Sequence, residues 1–244
     1  MADVAWYDVK VKGWLRDFII ILHPPYTLWH LAYVSIGAAL APVINWAMVA
    51  WTVLAFFLGM GIGGHCLDEL NGRPLKTKVP GWLLGCVAVL SIFGAVGVGV
   101  FIGLREAYWL IPCILFGSFI VYAYNLEWCK GFFHRGFWFG FAWGAFPVIT
   151  AYIAQTNTVT PAIILVAAAC LLYSMTQRVL STHARFWRRK VFLMHGLYVL
   201  NGDPVAGRPH PIVKEDIFGP AEVALKFMTW TVVAAAVGLL ILHI

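Results

Sequence analysis

The chain is poor in charged residues. Only 11% of its 244 residues are Asp, Glu, Lys or Arg, whereas soluble globular domains typically carry about 25%. Hydrophobic residues make up 61% of the chain, and its mean hydropathy is +0.82. The shortage of charge excludes an ordinary soluble domain and indicates an integral membrane protein.

Cysteine is also sparse, and its spacing carries no metal-binding pattern. The five cysteines are scattered, with no CxxC, no CxxCH and no zinc-finger arrangement. Isolated cysteines of this kind are typically small buried residues. The pattern therefore argues against a disulfide framework or structural zinc, and it excludes covalent attachment of haem.

Long apolar runs dominate the rest of the sequence. Seven stretches are long enough to cross a bilayer, which takes about 17 to 25 residues. They are residues 26–44, 46–65, 81–104, 107–125, 136–155, 159–180 and 220–243. We therefore predict an all-α integral membrane protein, with about seven transmembrane helices forming a single domain over residues 1–244.

Basic residues lie mostly on one side of these spans. Lys and Arg cluster before the first span and after the second, fourth and sixth, whereas loops on the opposite side carry only Arg105, beside Glu106. Because basic residues in short loops are retained on the cytoplasmic side, the N-terminus is predicted to be cytoplasmic. The same distribution explains the net charge of +6 without a nucleic-acid partner. We expect a multi-pass protein of the cell (inner) membrane.

The N-terminal segment, residues 1–20, has the pattern of an interfacial helix. Tryptophan and aliphatic side chains fall close to one helical face, and lysines occupy the opposite face. The segment has no pattern of a cleavable signal peptide. We interpret it as a helix lying on the membrane surface, with a simple basic anchor as the alternative.

Two polar insertions interrupt the apolar pattern, at residues 65–80 and 181–218. The first follows the second span, and the second follows the sixth span, four helices later. This arrangement is typical of a chain built from two similar helical halves. Because both insertions lie on the predicted cytoplasmic face, we expect them to converge over one cavity.

The first insertion belongs to the most polar stretch of the chain, GMGIGGHCLDELNGRPLKTKVP. His65, Asp68 and Glu69 recur at i, i+3 and i+4, so one extra helical turn would place all three on one face. Such a trio is suited to a divalent cation, and the guanidinium of Arg73 is suited to phosphate. Together these residues predict a magnesium-bound diphosphate. The alternative is structural, with the carboxylates paired to nearby basic residues and His65 packed in the core.

The second insertion begins with a strongly basic run. Arg178, in the last residues of the sixth span, and Arg185, Arg188 and Arg189 after it recur at near-helical spacing. One interpretation is an anchor that follows the positive-inside rule. The other is a phosphate clamp, for which Arg178 and Arg185 are the better candidates because they lie nearest the end of the span.

Taken together, these features resemble the UbiA superfamily of intramembrane prenyltransferases. The resemblance rests on HPPYTLWHLAYVSIGAALAP at the first span, RPLKT after the second, WGAFPVITAYIAQ in the fifth and QRVLSTHAR after the sixth. It implies a helical bundle whose central cavity opens to the cytoplasm and to lipid. In that cavity an isoprenoid diphosphate would bind through magnesium and ionise before an acceptor attacks.

The chain departs from the family pattern at its acidic motifs. The positions that match the family's NxxxDxxxD motif are Gly64, Asp68 and Gly72, so only the middle acid is kept, with Asn71 among the nearby substitutes. The second acidic motif is replaced by the basic STHARFWRRK, and two of the family's nine spans are missing. These departures bear directly on whether the chain is an enzyme.

Two hypotheses follow from the resemblance. The first is a UbiA-like membrane transferase that acts on an isoprenoid diphosphate or a related lipid, with Asp68 and Glu69 as catalytic residues and His65 as a further magnesium ligand. Its substrate-binding residues are Asn71, Arg73, Arg178 and Arg185. The second is a non-catalytic UbiA-like subunit that binds a lipid, a quinone or a partner membrane protein.

Overall fold

The computed structural model describes residues 13–201 and 209–244, and these are mostly helical. A short helix, α1 (Trp14–Ile21), precedes seven longer ones. These are α2 (Pro24–Ala39), α3 (Trp46–Leu70), α4 (Gly81–Arg105), α5 (Leu110–Asn125), α6 (Gly136–Thr156), α7 (Pro161–Lys190) and α8 (Lys214–Ile241). Between α7 and α8, strands β1 (Leu197–Tyr198) and β2 (His210–Pro211) pair antiparallel.

Several of these helices are suited to cross a membrane. Helices α3, α4, α6, α7 and α8 are long and apolar enough, which makes five among the described residues. A sixth is added if α5 and the segment Trp128–His134, bent by 83° from it, are counted as one span. Each of the seven predicted stretches contains a helix, but α2 and α5 are only 16 residues long. The chain is therefore a multi-pass membrane protein.

The outer surface of the bundle is apolar. Leu90 and Phe93 on α4 are 72% and 69% exposed, and Leu165 on α7 is 72% exposed. A contiguous apolar surface of this kind is a liability in water, because it drives association, but it is the surface that acyl chains require. The bilayer thus replaces part of the core that a soluble protein of this size would need.

Helix α1 is joined to the first polar insertion. The carboxylate of Asp17 accepts a hydrogen bond from the backbone nitrogen of Lys78 at 2.9 Å. Trp14, Leu15 and Phe18 on the same helix are exposed. Residues 1–12, which hold the rest of the predicted interfacial segment, lie outside the described residues.

The two ends of the bundle differ. At one end the connections are short and tied together, since Gln155 exchanges hydrogen bonds of 2.9 and 3.1 Å with the backbone of Asn45. Asn157 accepts from the backbone of Trp109 at 3.0 Å, and His243 donates to the last carbonyl of α2. Both polar insertions lie at the opposite end, which we call the polar end.

The insertions contain more helix than predicted. Residues 65–70 belong to α3, residues 181–190 belong to α7, and residues 214–218 belong to α8. Among the described residues of the insertions, only 71–80, 191–201 and 209–213 are non-helical or extended. The reason is local. A helix can continue past the apolar region when its next side chains have polar partners, as Arg185 and Arg188 of α7 do.

Helix α6 is packed unusually closely against its neighbours. A Cβ added at Gly144 would lie 2.6 Å from the carbonyl oxygen of Cys170 on α7, and one added at Gly37 on α2 would overlap the carbonyl group of Val148. Only glycine permits such backbone contact, which is a common way for membrane helices to gain packing energy. Helix α6 is thereby held between α2 and α7.

Two helices contain a π-helical segment, at Phe57–Gly64 in α3 and Phe141–Ala145 in α6. Such segments are uncommon and are found frequently at functional sites. Both lie in the half of their helix nearer the polar end. They place Met60 and Trp143 in the interior of the bundle, where both side chains are buried.

We expect Gly37→Ala to destabilise the protein by about 1 to 3 kcal/mol, because its methyl group must displace the backbone of α6. Thermal unfolding in detergent, followed by tryptophan fluorescence, measures this. Gly97→Ala is the matched control, since nothing lies within 4 Å of a Cβ added there. Equal unfolding temperatures for the two variants would contradict the close packing of α2 on α6.

Candidate functional site

A cavity of about 340 Å³ opens at the polar end of the bundle. The first insertion contributes Asp68, Asn71 and Pro74 to its wall, and α7 contributes a row of arginines. The two insertions also touch directly, because Arg189 donates to the carbonyl of Pro74 at 3.4 Å. The predicted convergence of the two insertions over one cavity is what the structure shows.

The wall of the cavity is rich in charge and has an excess of arginine. The arginines are Arg178, Arg185, Arg188 and Arg189, and the carboxylates are Asp68, Glu127 and Glu222. Arg188 forms an ion pair with Glu222 on α8 and is buried there. Apart from this pair, three arginines face two carboxylates, Asp68 and Glu127, so the cavity is suited to an anion.

Arg178 is held in place by three contacts. Its guanidinium donates to the hydroxyl of Tyr124 and, at 2.6 Å, to the carbonyl oxygen of His134. It also lies over the ring of Phe139, 5.2 Å from the centroid, a favourable geometry for a cation on an aromatic face. Arg178 therefore offers a fixed positive charge at the cavity wall.

Arg185 is about two turns nearer the end of α7 than Arg178, and it is less restrained. Among residues 13–201 and 209–244, its guanidinium bonds only within its own helix, to the carbonyl of Ser181 at 3.2 Å and the hydroxyl of Thr182 at 3.5 Å. The residue is exposed at the cavity mouth. A guanidinium in this position can turn towards a phosphate and contact it with two donors.

Asp68 is the carboxylate of the first insertion that faces the cavity. It is half-buried, and its side chain makes no hydrogen bond to any described residue. Arg185 and His134 lie within electrostatic range of it. Its oxygens are thus available to a ligand.

Glu69 has a different environment from the one predicted. Its side chain is fully buried, and its carboxylate accepts bonds of 2.9 Å from the backbone nitrogens of Leu75 and Thr77. The Thr77 hydroxyl adds a third bond, at 2.8 Å. Glu69 does not line the cavity, because its carboxylate serves as the centre around which residues 71–80 fold.

Arg73 also lies away from the cavity. Its guanidinium donates to the carbonyl of Val79 at 2.6 Å and that of Thr77 at 3.5 Å, so it closes the same loop. Its backbone has a positive φ of 52°, which is costly for a residue with a side chain. The structure therefore gives Arg73 a structural role in place of the predicted contact with substrate.

The other two predicted residues of the first insertion reach the cavity wall. His65 donates from Nδ1 to the carbonyl of Gly61 at 2.9 Å, and its ring packs 4.8 Å from that of His23. Asn71 donates to the carbonyl of Asn125 at 3.0 Å. These bonds fix both side chains beside Asp68.

The predicted magnesium site is not formed by these side chains. Within residues 13–201 and 209–244, no group of three or more His, Cys, Asp or Glu side chains is placed to hold a metal ion. Glu69 turns away from Asp68 and His65, and its oxygens are already satisfied by the loop. The residues present therefore do not fit the expected metal.

Comparison with known proteins adds no family assignment. The chain matches no protein-family model, no curated protein and no solved structure. The resemblance to the UbiA superfamily therefore rests on the sequence motifs alone.

Sequence reasoning missed the histidines that surround the arginines. His23, His30 and His134 line the cavity with His65. Each bonds through Nδ1 to a backbone carbonyl, at 2.9, 2.7 and 3.1 Å. Because a carbonyl only accepts, Nδ1 carries a proton in each ring. The three lie far apart in the sequence, so spacing alone gave no signal of their meeting.

Two buried polar atoms of the cavity wall have no hydrogen-bond partner among the described residues. They are Oε1 of Gln177 and Nε of Arg188, and both residues are 5% exposed. Buried polar atoms are nearly always satisfied by protein, water or ligand. One is an acceptor and the other a donor, and both belong to residues that line the cavity.

We expect Glu69→Gln to loosen residues 71–80 and to destabilise the protein by about 2 kcal/mol, because charge-assisted bonds to the backbone are lost. Limited proteolysis of this loop and thermal unfolding measure the change. Glu106→Gln, an exposed glutamate at the other end of the bundle, is the control. Unchanged cleavage of the loop in Glu69→Gln would refute the role assigned to Glu69.

We expect His23 to make the protein sensitive to acid. Burial, together with the nearby Arg185 and Arg189, lowers the pKa of His23 from 6.5 to about 4, although its bond to the Ile21 carbonyl opposes the shift. Between these pH values the unfolded chain binds a proton that the folded chain does not, so stability falls as the pH drops from about 6.5 to 4.

The test compares His23→Gln with wild type in thermal unfolding across that range. The variant should lose less stability on acidification, whereas His195→Gln, a change at an exposed histidine, should behave as wild type does. Parallel curves for His23→Gln and wild type would show that His23 is not the group responsible.

Proposed function

We propose that the chain is a UbiA-like membrane transferase that binds an isoprenoid diphosphate, or a related lipid with an anionic headgroup, in the cavity at its polar end. The observation that carries the proposal is the facing of Arg178 and Arg185 on α7 towards Asp68 on α3 across one cavity. Arginine is the side chain best suited to bind phosphate oxygens in pairs.

The location of the cavity supports an amphipathic ligand. It begins among polar side chains at the end of the bundle and reaches down to buried apolar residues, among them Met60 and Trp143. A soluble phosphate compound would make no apolar contact with the floor of the cavity, and a neutral lipid would form no ion pair with the arginines. A lipid with a phosphate headgroup uses both.

The two unpartnered polar atoms support the same ligand. When these buried side chains turn towards the ligand, the unpartnered Nε of Arg188 donates to a phosphate oxygen, and Oε1 of Gln177 accepts from a hydroxyl or from water. The cavity thus offers cationic donors for a diphosphate and a neutral acceptor for a group that carries protons.

The proposed reaction uses these residues without a metal. The carbon–oxygen bond of the allylic diphosphate breaks, and its electron pair leaves with the diphosphate, whose charge Arg178 and Arg185 stabilise. The acceptor forms a new bond to the allylic carbon and gives up its proton to the carboxylate of Asp68. Asp68 is the catalytic residue in this scheme, because its oxygens are unbonded and face the cavity.

We further propose that the membrane topology is the one the charges predict. All seven long helices would then cross the membrane. Helix α2 has only 16 residues, so Leu40 and the other residues that flank the helix would complete its span. The arginine-rich polar end would face the cytoplasm of the inner membrane, because basic residues concentrate there. The cavity would then open to the cytoplasm and would receive isoprenoid diphosphates from that side.

One observation favours the alternative, a non-catalytic subunit that binds a lipid, a quinone or a partner membrane protein. Asp68 is the single carboxylate that the first insertion brings to the cavity, since Glu69 is committed to the loop. Gly64 and Gly72 stand where the family pattern has Asn and Asp. A site with so few acids binds an anion readily but has less means of catalysis.

We expect Arg185→Gln to weaken the binding of farnesyl diphosphate by about tenfold or more, since a charge-assisted contact is lost. Binding to the purified protein in nanodiscs, measured by calorimetry, tests this. Arg105→Gln is the control, because Arg105 lies at the other end of the bundle over Phe101. Tight binding that is equal in wild type and Arg185→Gln would remove the α7 arginines from the site.

A second set of measurements separates the two functions. A transferase releases diphosphate when an acceptor is added, and Asp68→Asn abolishes that release while farnesyl diphosphate still binds. Because no metal site is formed by the described residues, binding should survive EDTA. Binding without release under any acceptor would support the non-catalytic subunit, and absence of binding would refute both proposals for an anionic lipid.

A further inference from the structure

The segment between α7 and α8 carries an exposed apolar patch at the polar end of the bundle. Seven of the nine residues at 192–200 are hydrophobic, in the sequence FLMHGLYVL. Phe192 is 96% exposed and Leu197 is 66% exposed. A contiguous patch of this kind marks a surface that another molecule or a membrane covers. We call residues 191–201 and 209–213 the hairpin, and its exposed apolar side chains include Phe192, Leu193, Leu197, Tyr198, Val199 and Leu200.

The hairpin has little structure of its own to hold it. Strands β1 and β2 pair over only two residues each. One further backbone bond, from the nitrogen of Ile212 to the carbonyl of Gly196, measures 2.9 Å, and the ring of Tyr198 stacks on that of His210. A two-stranded hairpin is marginally stable in water unless its apolar side chains pack on a further surface. The described residues do not supply that surface, since these side chains are exposed.

The base of the hairpin is positively charged. Among residues 189–201 and 209–214, Arg189, Lys190 and Lys214 are the basic residues other than histidine, and no carboxylate is present. Residues 202–208 add one acid and one arginine, whose charges cancel. The next carboxylates along the chain are Glu215 and Asp216 at the start of α8, where Asp216 caps the helix by accepting from the backbone three residues earlier. The hairpin is therefore suited to a negatively charged surface.

Contacts at its base fix the hairpin close to the membrane. The ammonium of Lys214 donates to the carbonyl of Arg188 at 3.4 Å, which joins the start of α8 to the end of α7. Arg189 donates to the carbonyl of Pro74 in the first insertion. That insertion leads directly into α4, on which Trp82 is 71% exposed, and exposed tryptophans near span ends typically lie at the level of the lipid headgroups. The hairpin thus begins near that level.

We propose that the hairpin lies on the surface of the bilayer and binds anionic lipid headgroups, with Phe192 and its apolar neighbours in the interface and the basic residues near the phosphates. Apolar contact and attraction to anionic lipid act together at such a surface. Both ends of the hairpin continue into membrane spans, so the bilayer is present at a high effective concentration, whereas a soluble partner would lose translational freedom on binding. This contact needs no ligand in the cavity.

The test compares the protein in nanodiscs of phosphatidylcholine with the protein in nanodiscs of equal parts phosphatidylcholine and phosphatidylglycerol. Hydrogen–deuterium exchange at residues 192–200, followed by mass spectrometry, should be slower by about tenfold in the anionic nanodiscs, because basic residues near an anionic surface strengthen the contact. A photoreactive phosphatidylglycerol in the same nanodiscs should form cross-links to the hairpin.

Two variants separate the apolar contribution from the electrostatic one. Phe192→Glu places a carboxylate in the interface and should remove most of the slowing and of the cross-linking. Lys190→Gln, at an exposed residue, should reduce the difference between the two lipid compositions by about threefold or more. Val43→Glu is the matched control, because Val43 is 80% exposed at the opposite end of the bundle, and it should behave as wild type does.

Two outcomes would overturn the proposal. Exchange at residues 192–200 that is equal in the two nanodiscs, whether fast or slow, would remove anionic headgroups from the contact. Slow exchange in native membrane vesicles that becomes fast in the anionic nanodiscs would assign the hairpin to a protein partner in place of lipid.

Discussion

An apolar bundle in a bilayer tolerates ionisable side chains only where protein groups or water compensate them. In this protein the compensation is concentrated at one end. Arg178 donates to Tyr124 and His134, and Arg188 forms an ion pair with Glu222. Every functional position described above depends on this arrangement, because it gathers the charges around a cavity instead of distributing them over the loops.

Two adjacent carboxylates of one helix have different roles, one in holding a loop and the other in lining the cavity. Asp68 and Glu69 are neighbours on α3, and successive helical residues point about 100° apart. Glu69 points into residues 71–80 and accepts three bonds there. Asp68 points into the cavity and keeps its oxygens open. The buried glutamate fixes the loop from which Asn71 and Pro74 reach the cavity, so the ligand site depends on a residue that does not touch it.

Hydropathy located all seven long helices, since apolar runs are their direct physical cause, and charge placed both insertions at one end. The spacing of His65, Asp68 and Glu69 was not enough to predict their partners. The spacing places all three side chains broadly on one face of the helix. It does not show that the backbone nitrogens of the following loop donate to Glu69 and turn its carboxylate away from the other two. The group of histidines around the cavity was also not predicted. Helix packing brings together residues as distant in the sequence as His30 and Trp143.

Arginine in place of acidic metal ligands changes how the cavity can neutralise a diphosphate. Carboxylates bind the anion only through a metal, and they must be several, because each adds negative charge that the metal has to offset. Arginines act directly and need carboxylates only to be held in place, as Glu222 holds Arg188. Under the proposed function, the basic segment STHARFWRRK places the counter-charge for a diphosphate in α7 itself, where a bound metal ion would otherwise supply it.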